Sequence, residues 1–259
     1  MTVTNTPPPG VVARARQLLK NDPVTALANY TWINNVTVGA PYCRFAFEGD
    51  EHCLAHHLAL PFPAISLESG DPAIVSRLLD ELIPAAQLPP DQPFYSLVPA
   101  RLAHILTTVT EVLSVRPEWL MLHNPDLGQQ NTGSARLLEA ADLPAMIALA
   151  RAADAMVFGP DTFARGAFFG IDSDGELIAM GGVQNELSGF SEIGSIVTHP
   201  AHRRQGHASQ IVSALTRHLH NRSQQAFLVL FQANTAALAL YQKLRFEIIG
   251  ELKLIRWRR

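Results

Sequence analysis

The stretch THPAHRRQGHASQIV, Thr198–Val212, decides how the chain is read. Upstream, SEIGSIVTH reads as a strand; downstream, QGHASQIVSALTRHLHN puts Ala208, Ile211, Val212, Leu215 and Leu219 on one helical face. The stretch therefore joins the end of a strand to the start of a helix. The first N–H groups of a helix lack intrahelical partners, and the macrodipole adds partial positive charge there. An anion such as a pyrophosphate suits that end, provided that small residues let it approach. Gly206 and Ala208 supply the small residues, and Arg203 and Arg204 stand nearby. A solvated charge run at an ordinary junction would have the same local spelling. Neither a Walker loop, which needs Gly-Lys-Ser/Thr, nor G-x-G-x-x-G is present.

Around this junction the second half alternates closely. ARLLEA reads as a strand, ADLPAMIALARAAD as a helix with Asp142 near its start, and GAFFGIDSDGELIAMGGVQ as two strands about the turn Asp172–Gly175. After the cradle helix come AFLVLFQA, a continuous apolar strand, the helix TAALALYQKL, and a last strand or strand pair in FEIIGELKLIRW. The order is β-α-ββ-β-α-β-α-β.

The segment Glu192–Phe246 resembles the GNAT superfamily of acyl-CoA-dependent N-acyltransferases. The likeness is carried by IVTHPAHRRQGHASQIV and LFQANTAALALYQKLRFEIIG: Val197 and Pro200 close a strand, Arg203, Gly206 and Ala208 open a helix, and Asn234 ends the next strand. Tyr241 follows seven residues later, inside Tyr-x-Lys-Leu-x-Phe made by Lys243, Leu244 and Phe246. Arg245 stands where the family has glycine at a helix-ending turn, which suggests a different cap. The resemblance extends over about 134–259 and implies an α/β (α+β) fold, a GNAT-type mixed sheet flanked by helices.

It also implies roles. The backbone around Gln205, Gly206, His207, Ala208 and Ser209, with Arg203 and Arg204, would hold the pyrophosphate of coenzyme A. Ile196, Val197 and Thr198 would lie along the pantetheine arm. Tyr241 is the candidate general acid for the leaving sulfur, against a tyrosine that merely fills core. Asn234 is a helix cap that can also bind the cofactor. Glu192 is a candidate base or water relay, against a substrate-orienting or simply exposed carboxylate; strand alternation puts it on one face with Gly194, Ile196 and Thr198. His199 could substitute, although a histidine before proline reads as structural. The implied activity is transfer of an acetyl group from acetyl-CoA to a primary amine, small or peptidic. Use of a longer acyl-CoA and a non-catalytic acyl-CoA-binding or regulatory module are the alternatives.

The first half carries no such cradle. VVARARQLLKNDPVTALANYTWINN gives two helical segments that break near Asp22-Pro23; YCRFAFEG and CLAHHLALPF read as strands. DPAIVSRLLDELIP is a helix striped by Ile74, Val75, Leu78, Leu79 and Leu82, and ARLAHILTTVTEVLSV repeats the stripe from Leu102 to Leu113. Its opening is similar to that of two-domain FR47-like GNAT proteins, which implies a degenerate GNAT-like or accessory domain over 13–123, with a structural or dimerising module as the plainer alternative. Residues 1–12 read as a disordered lead-in, the polar stretch 124–133 as a linker, and 134–259 as the catalytic domain.

Of the 259 residues, 17% are charged and the net charge is −3, which argues against gripping nucleic acid by bulk charge. No apolar run is long enough to cross a bilayer. Two cysteines make a disulfide framework improbable and point to the cytoplasm. On a strand, Cys53 and His57 share a face while His56 points away, so a metal site is not expected. Trp32 and Trp119 are expected in the core, His218 and His220 in solvent, and IRWRR beside a strand or an acidic surface.

Overall fold

The computed structural model describes residues 3–38, 42–58, 60–87, 91–125, 131–154 and 158–259. Its contacts divide the chain into two units, Met1–Trp119 with Gly250–Arg259, and Leu120–Ile249. The sequence places the joint at 124–133, of which 126–130 lie outside the described residues.

The first unit begins with α1 (Pro9–Asn21), α2 (Pro23–Leu27) and α3 (Tyr30–Val38). Asp22 separates the first two by accepting the Thr25 N–H at 3.1 Å, just ahead of Pro23 at the first helical position. The expected disordered lead-in needs correction from Thr4 onward. Thr4 exchanges two backbone hydrogen bonds with Phe45, and Val11 and Ala15 are fully buried on α1. Three strands follow as an antiparallel meander: β1 (Cys43–Glu48), β2 (His52–His57) and β3 (Ala64–Glu68). Then come α4 (Pro72–Ala86), β4 (Phe94–Pro99) and α5 (Ala100–Val109). The α4 stripe is as expected, with Val75, Leu78, Leu79 and Leu82 at 0% exposure.

The second helical stripe ends earlier than expected. Thr110 is already extended, and Leu113 lies in the strand β5 (Glu111–His123). The β-branched run Thr107–Thr110 disfavours a further helical turn and favours a strand. Glu111–Trp119 of β5 belong to the first unit and the rest to the second. Trp32 is in the core at 1% exposure, while Trp119 is only half-buried.

In the second unit β6 (Arg136–Leu137) is reduced to two residues, followed by α6 (Leu143–Ala152) and the short α7 (Pro160–Phe163). The hairpin of β7 (Phe168–Ser173) and β8 (Glu176–Leu187) turns through Asp174 and Gly175, both left-handed at φ 51° and 82°. Next are β9 (Phe190–Thr198), α8 (His207–His220), β10 (Gln225–Phe231), α9 (Thr235–Lys243) and β11 (Phe246–Arg258). Strands β6 to β9 pair antiparallel in sequence order, and β10 joins β9 in parallel. Ile211, Val212, Leu215 and Leu219 fix the buried face of α8, while Met146, Leu149 and Ala150 of α6 pack with Phe168 and Met180. From Gly250 onward β11 belongs to the first unit, where Leu252–Trp257 run antiparallel to β4.

The series β1-β2-β3-α4-β4-α5 thus repeats β7-β8-β9-α8-β10-α9 in order and in pairing sense: three antiparallel strands, a crossover helix, a parallel strand, a helix. The two halves share an architecture that their residues do not spell out. Each unit is a mixed sheet flanked by helices, the fold class expected from the sequence.

Candidate active site

Strands β9 and β10 pair only at Phe190–Glu192 with Gln225–Phe227. Beyond Glu192 they diverge, and the gap is walled by Ile193–Ile196 on one side and Leu228–Phe231 on the other. The cause lies in β9. Between Gly194 and Val197 its pairing with β8 slips by one residue, and Ser195 sits in the left-handed region at φ 51°. This bulge corrects the expected alternation. Glu192 and Gly194 keep one face, but past Ser195 the faces exchange: Val197 packs with the α6 core, and Ile196 points toward Gly181 and Ile211. Ile196 and Thr198 therefore do not share the side of Glu192.

At the far end of β9 the cradle stretch folds as a 3-10 turn at Pro200–His202, then Arg204 at φ 63° and Gly206 at φ 86°. The His199 ring caps this turn by accepting the Ala201 N–H at 3.3 Å, a structural duty. Arg203 Nε donates to the Thr198 carbonyl at 3.2 Å and so ties the turn to the strand. No side chain caps α8, whose first backbone bond runs from Gln210 N–H to the Gly206 carbonyl. The N–H groups of His207, Ala208 and Ser209 are thus left without an intrahelical acceptor. They face a cleft of about 560 Å³, lined by Ile196–Thr198, by Arg203, Arg204 and Gly206–Ser209, and by Asn234, but not by His199, Pro200 or Gln205. A Cβ added to Gly206 would meet nothing within 4 Å, so the glycine is there for its backbone angle and the space before it is open.

A second cavity of about 240 Å³ occupies the gap between β9 and β10. Glu192 and Tyr241, far apart in sequence, both line it. Glu192 is 6% exposed, and its carboxylate accepts from the Asn185 side-chain amide across the strand pair. Tyr241 packs edge-on against Phe246 at 5.7 Å, and burial pushes its hydroxyl up to about 12, so the phenol keeps its proton. Asn234 caps α9 by accepting the Ala237 N–H at 3.1 Å, and it lines both the cleft and the cavity. The sequence did not single out Gln184 and Asn185. A polar pair at the end of the apolar run LIAMGGV was the available signal.

The first unit has the same opening, closed by its own side chains. Strands β3 and β4 pair at Ala64 and Tyr95. Beyond that point Asn29 Nδ2 donates to the Leu67 carbonyl (3.0 Å), Thr31 Oγ1 to the Leu97 carbonyl (3.1 Å) and Ser96 Oγ to the Ile65 carbonyl (2.5 Å). Glu68, 7% exposed, accepts from Asn29 and Arg101. The start of α4 is capped by Asp71, which accepts the Ala73 and Ile74 N–H groups at 2.8 and 3.2 Å. A carboxylate thus holds the donors that α8 leaves open.

Elsewhere, His56 lies edge-on to Phe94 at 6.4 Å, and burial, then the Arg44 charge, lowers its pKa. The Cys53 thiol is pushed by burial up to about 12. Among the described residues no group of three or more His, Cys, Asp or Glu side chains is placed to hold a metal. His220 is exposed, whereas His218 is partly covered by Phe169 at 5.6 Å. Arg258 pairs with Glu111 and Arg259 with Asp80, which spends the basic C-terminus on the first unit's own surface. Arg245 keeps the left-handed turn after α9 at φ 68°, so the expected change of cap does not occur. Among the described residues no helix is long and apolar enough to cross a membrane.

Residues 169–255 match the family model described as FR47-like protein, a span that contains the whole of Glu192–Phe246. Among curated proteins no sequence matches. Among solved structures, a GNAT-family protein from Novosphingobium aromaticivorans superposes with a TM-score of 0.69 at 19% identity, over 90% of this chain and 98% of that one. A GNAT-family acetyltransferase from Colwellia psychrerythraea gives 0.61 at 12% identity over 100% of both chains. A tandem GNAT protein from the clavulanic acid biosynthesis pathway gives 0.60 at 12% identity over 99% of this chain and 98% of that one. The fold is that of the GNAT acetyltransferases.

Proposed function

We propose that the chain is an N-acetyltransferase that moves an acetyl group from acetyl-CoA to a primary amine by direct attack. One observation carries this reading: the gap opened by the Ser195 bulge leads from an uncapped helix N-terminus to a cavity that holds both a carboxylate and a protonated phenol. The open donors of His207–Ser209 and the unfilled space before Gly206 fit a pyrophosphate. The unpaired edge of β9 from Ile193 fits an amide-bearing arm that hydrogen-bonds along it.

Bound there, acetyl-CoA supplies an activated thioester. Glu192 takes a proton from the incoming ammonium, directly or through water, so that a neutral amine attacks. The C–N bond forms as the C–S bond breaks, Tyr241 gives its proton to the departing sulfur, and the proton shed by the acylated nitrogen returns to the phenolate through water. Asn234, at the meeting of cleft and cavity, orients the segment between the two ends.

The first unit is a degenerate copy of this domain, with its gap and helix end closed from within. Cys43 and Cys53, buried and not joined in a disulfide, suit a reducing compartment, and we assign the protein to the cytoplasm. The test is thiol release from acetyl-CoA with a panel of small amines, amino acids and peptide N-termini. Release that requires both partners supports the reading. Coenzyme A binding without release across the panel would instead support a non-catalytic binding module.

A further inference from the structure

Gln184 is the residue that the pairing of β8 with β9 skips: Val183 pairs with Ile193 and Asn185 with Glu192. Opposite it, Ser195 lies in the stretch of β9 where the pairing slips the other way. The two irregularities are joined, because Gln184 Nε2 donates to Ser195 Oγ at 2.9 Å. The carboxamide lies close over Gly194. A Cβ at 194 would stand 2.4 Å from Gln184 Cδ and Oε1 and 2.8 Å from Nε2. Glycine at 194 is what makes room for it.

With Nε2 committed to Ser195, Gln184 Oε1 has no hydrogen-bond donor among the described residues. It is not wasted on an empty surface, because Gln184 and Glu192 line the same cavity, with Tyr241 on its wall. We propose that Gln184 determines acceptor specificity: its Oε1 and the Glu192 carboxylate form a two-acceptor seat for the N–H groups of a primary aliphatic amine. This deepens, and rests on, the acetyl-transfer reading. A neutral primary amine that aims its lone pair at the thioester carbon has two N–H groups left, one for each oxygen. A secondary amine has one and leaves an acceptor unmatched, which costs about tenfold in affinity.

The probes are n-butylamine and N-methylbutylamine, added to the ¹⁵N-labelled protein loaded with acetonyl-CoA, whose extra methylene between sulfur and carbonyl prevents transfer. The Gln184 side-chain amide signal is identified by its loss in Gln184→Leu. n-Butylamine is expected to shift that signal, and N-methylbutylamine to need about ten times the concentration for half the shift. By calorimetry, Gln184→Leu weakens n-butylamine about tenfold and narrows the gap between the two amines. Gly194→Ala, which displaces the carboxamide, does the same. Gln184→Glu keeps an acceptor oxygen at the seat, lets Ser195 Oγ–H donate to the other, and retains n-butylamine affinity, a rescue that a merely structural role would not show. A Gln184 signal unmoved by n-butylamine, equal affinity for both amines, or a glutamate variant as weak as the leucine one overturns the proposal. If n-butylamine shifts the signal yet no amine releases thiol, the seat stands and the acetyl-transfer reading falls.

Discussion

Gly206 and Arg204 both occupy the left-handed region, at φ 86° and 63°, but they reach it differently. Arginine bears a steric cost there that glycine does not. Arg204→Ala keeps the backbone problem as it was and removes only a charge exposed to solvent. Gly206→Val forces a β-branched residue into the turn and pushes a side chain into the open cleft. Calorimetry should find coenzyme A affinity reduced far more by Gly206→Val than by Arg204→Ala; the reverse order would mean that charge, not exposed N–H groups, holds the anion. Tyr241→Phe keeps the edge-on packing with Phe246 and deletes the proton. Turnover should fall by about 10²-fold or more while the Kd for acetyl-CoA stays near that of the parent. Unchanged turnover would remove the tyrosine from the chemistry. Of these residues, Gly206 was pointed to by the small-residue spacing together with the GNAT resemblance, and Tyr241 by the resemblance. The sequence did not reveal Gln184 or Asn185, because their placement depends on two pairing irregularities that no side-chain pattern announces.

Elements were legible where periodicity was strong and opaque where backbone geometry overrode it. The stripes of α4 and α8 come straight from apolar spacing, and the hairpin about Asp174-Gly175 from its turn residues. The end of α5 and the bulge in β9 do not, because a helix-like stripe continued through Leu113 and alternation continued through Thr198. The end of β5 adds a pH dependence. His123 is 8% exposed and tilts against Phe246 at 5.0 Å, the ring that also supports Tyr241. Burial, then the charge of His220, lowers its pKa from 6.5 to about 4. The folded protein therefore holds His123 neutral while the unfolded chain protonates near 6.5. Its contribution is full above that pH and is lost as pH falls toward about 4. Urea midpoints measured from pH 7 down to 4 should decline, and His123→Gln should flatten that decline.

At the scale of the molecule, the described residues carry the same topology twice and an open site once. Asp71 caps α4 where no side chain caps α8, and Asn29, Thr31 and Ser96 hold carbonyls of β3 and β4 from within the first unit. Titration should therefore give one coenzyme A per chain, and Gly206→Val should abolish the whole signal. A stoichiometry of two, or a residual site in that variant, would show that the first unit binds after all. The repeat was invisible in the residues because burial constrains a strand only to be apolar or polar by turns, which many unrelated sequences satisfy.

The exchange of strand segments sets a timetable for synthesis. The core of the first unit includes Ile255 and Trp257, and its strand β4 pairs with Leu252–Trp257, so its sheet lacks that neighbour until residues 252–257 have been made. At translation speeds of about 5–20 residues per second, the first half waits on the order of ten seconds for its final strand. During that wait the free edge of β4 is exposed to any other extended chain. Truncation ahead of Leu252 should therefore harm the unit that holds α1 to α5, although the deleted residues are far from it along the chain.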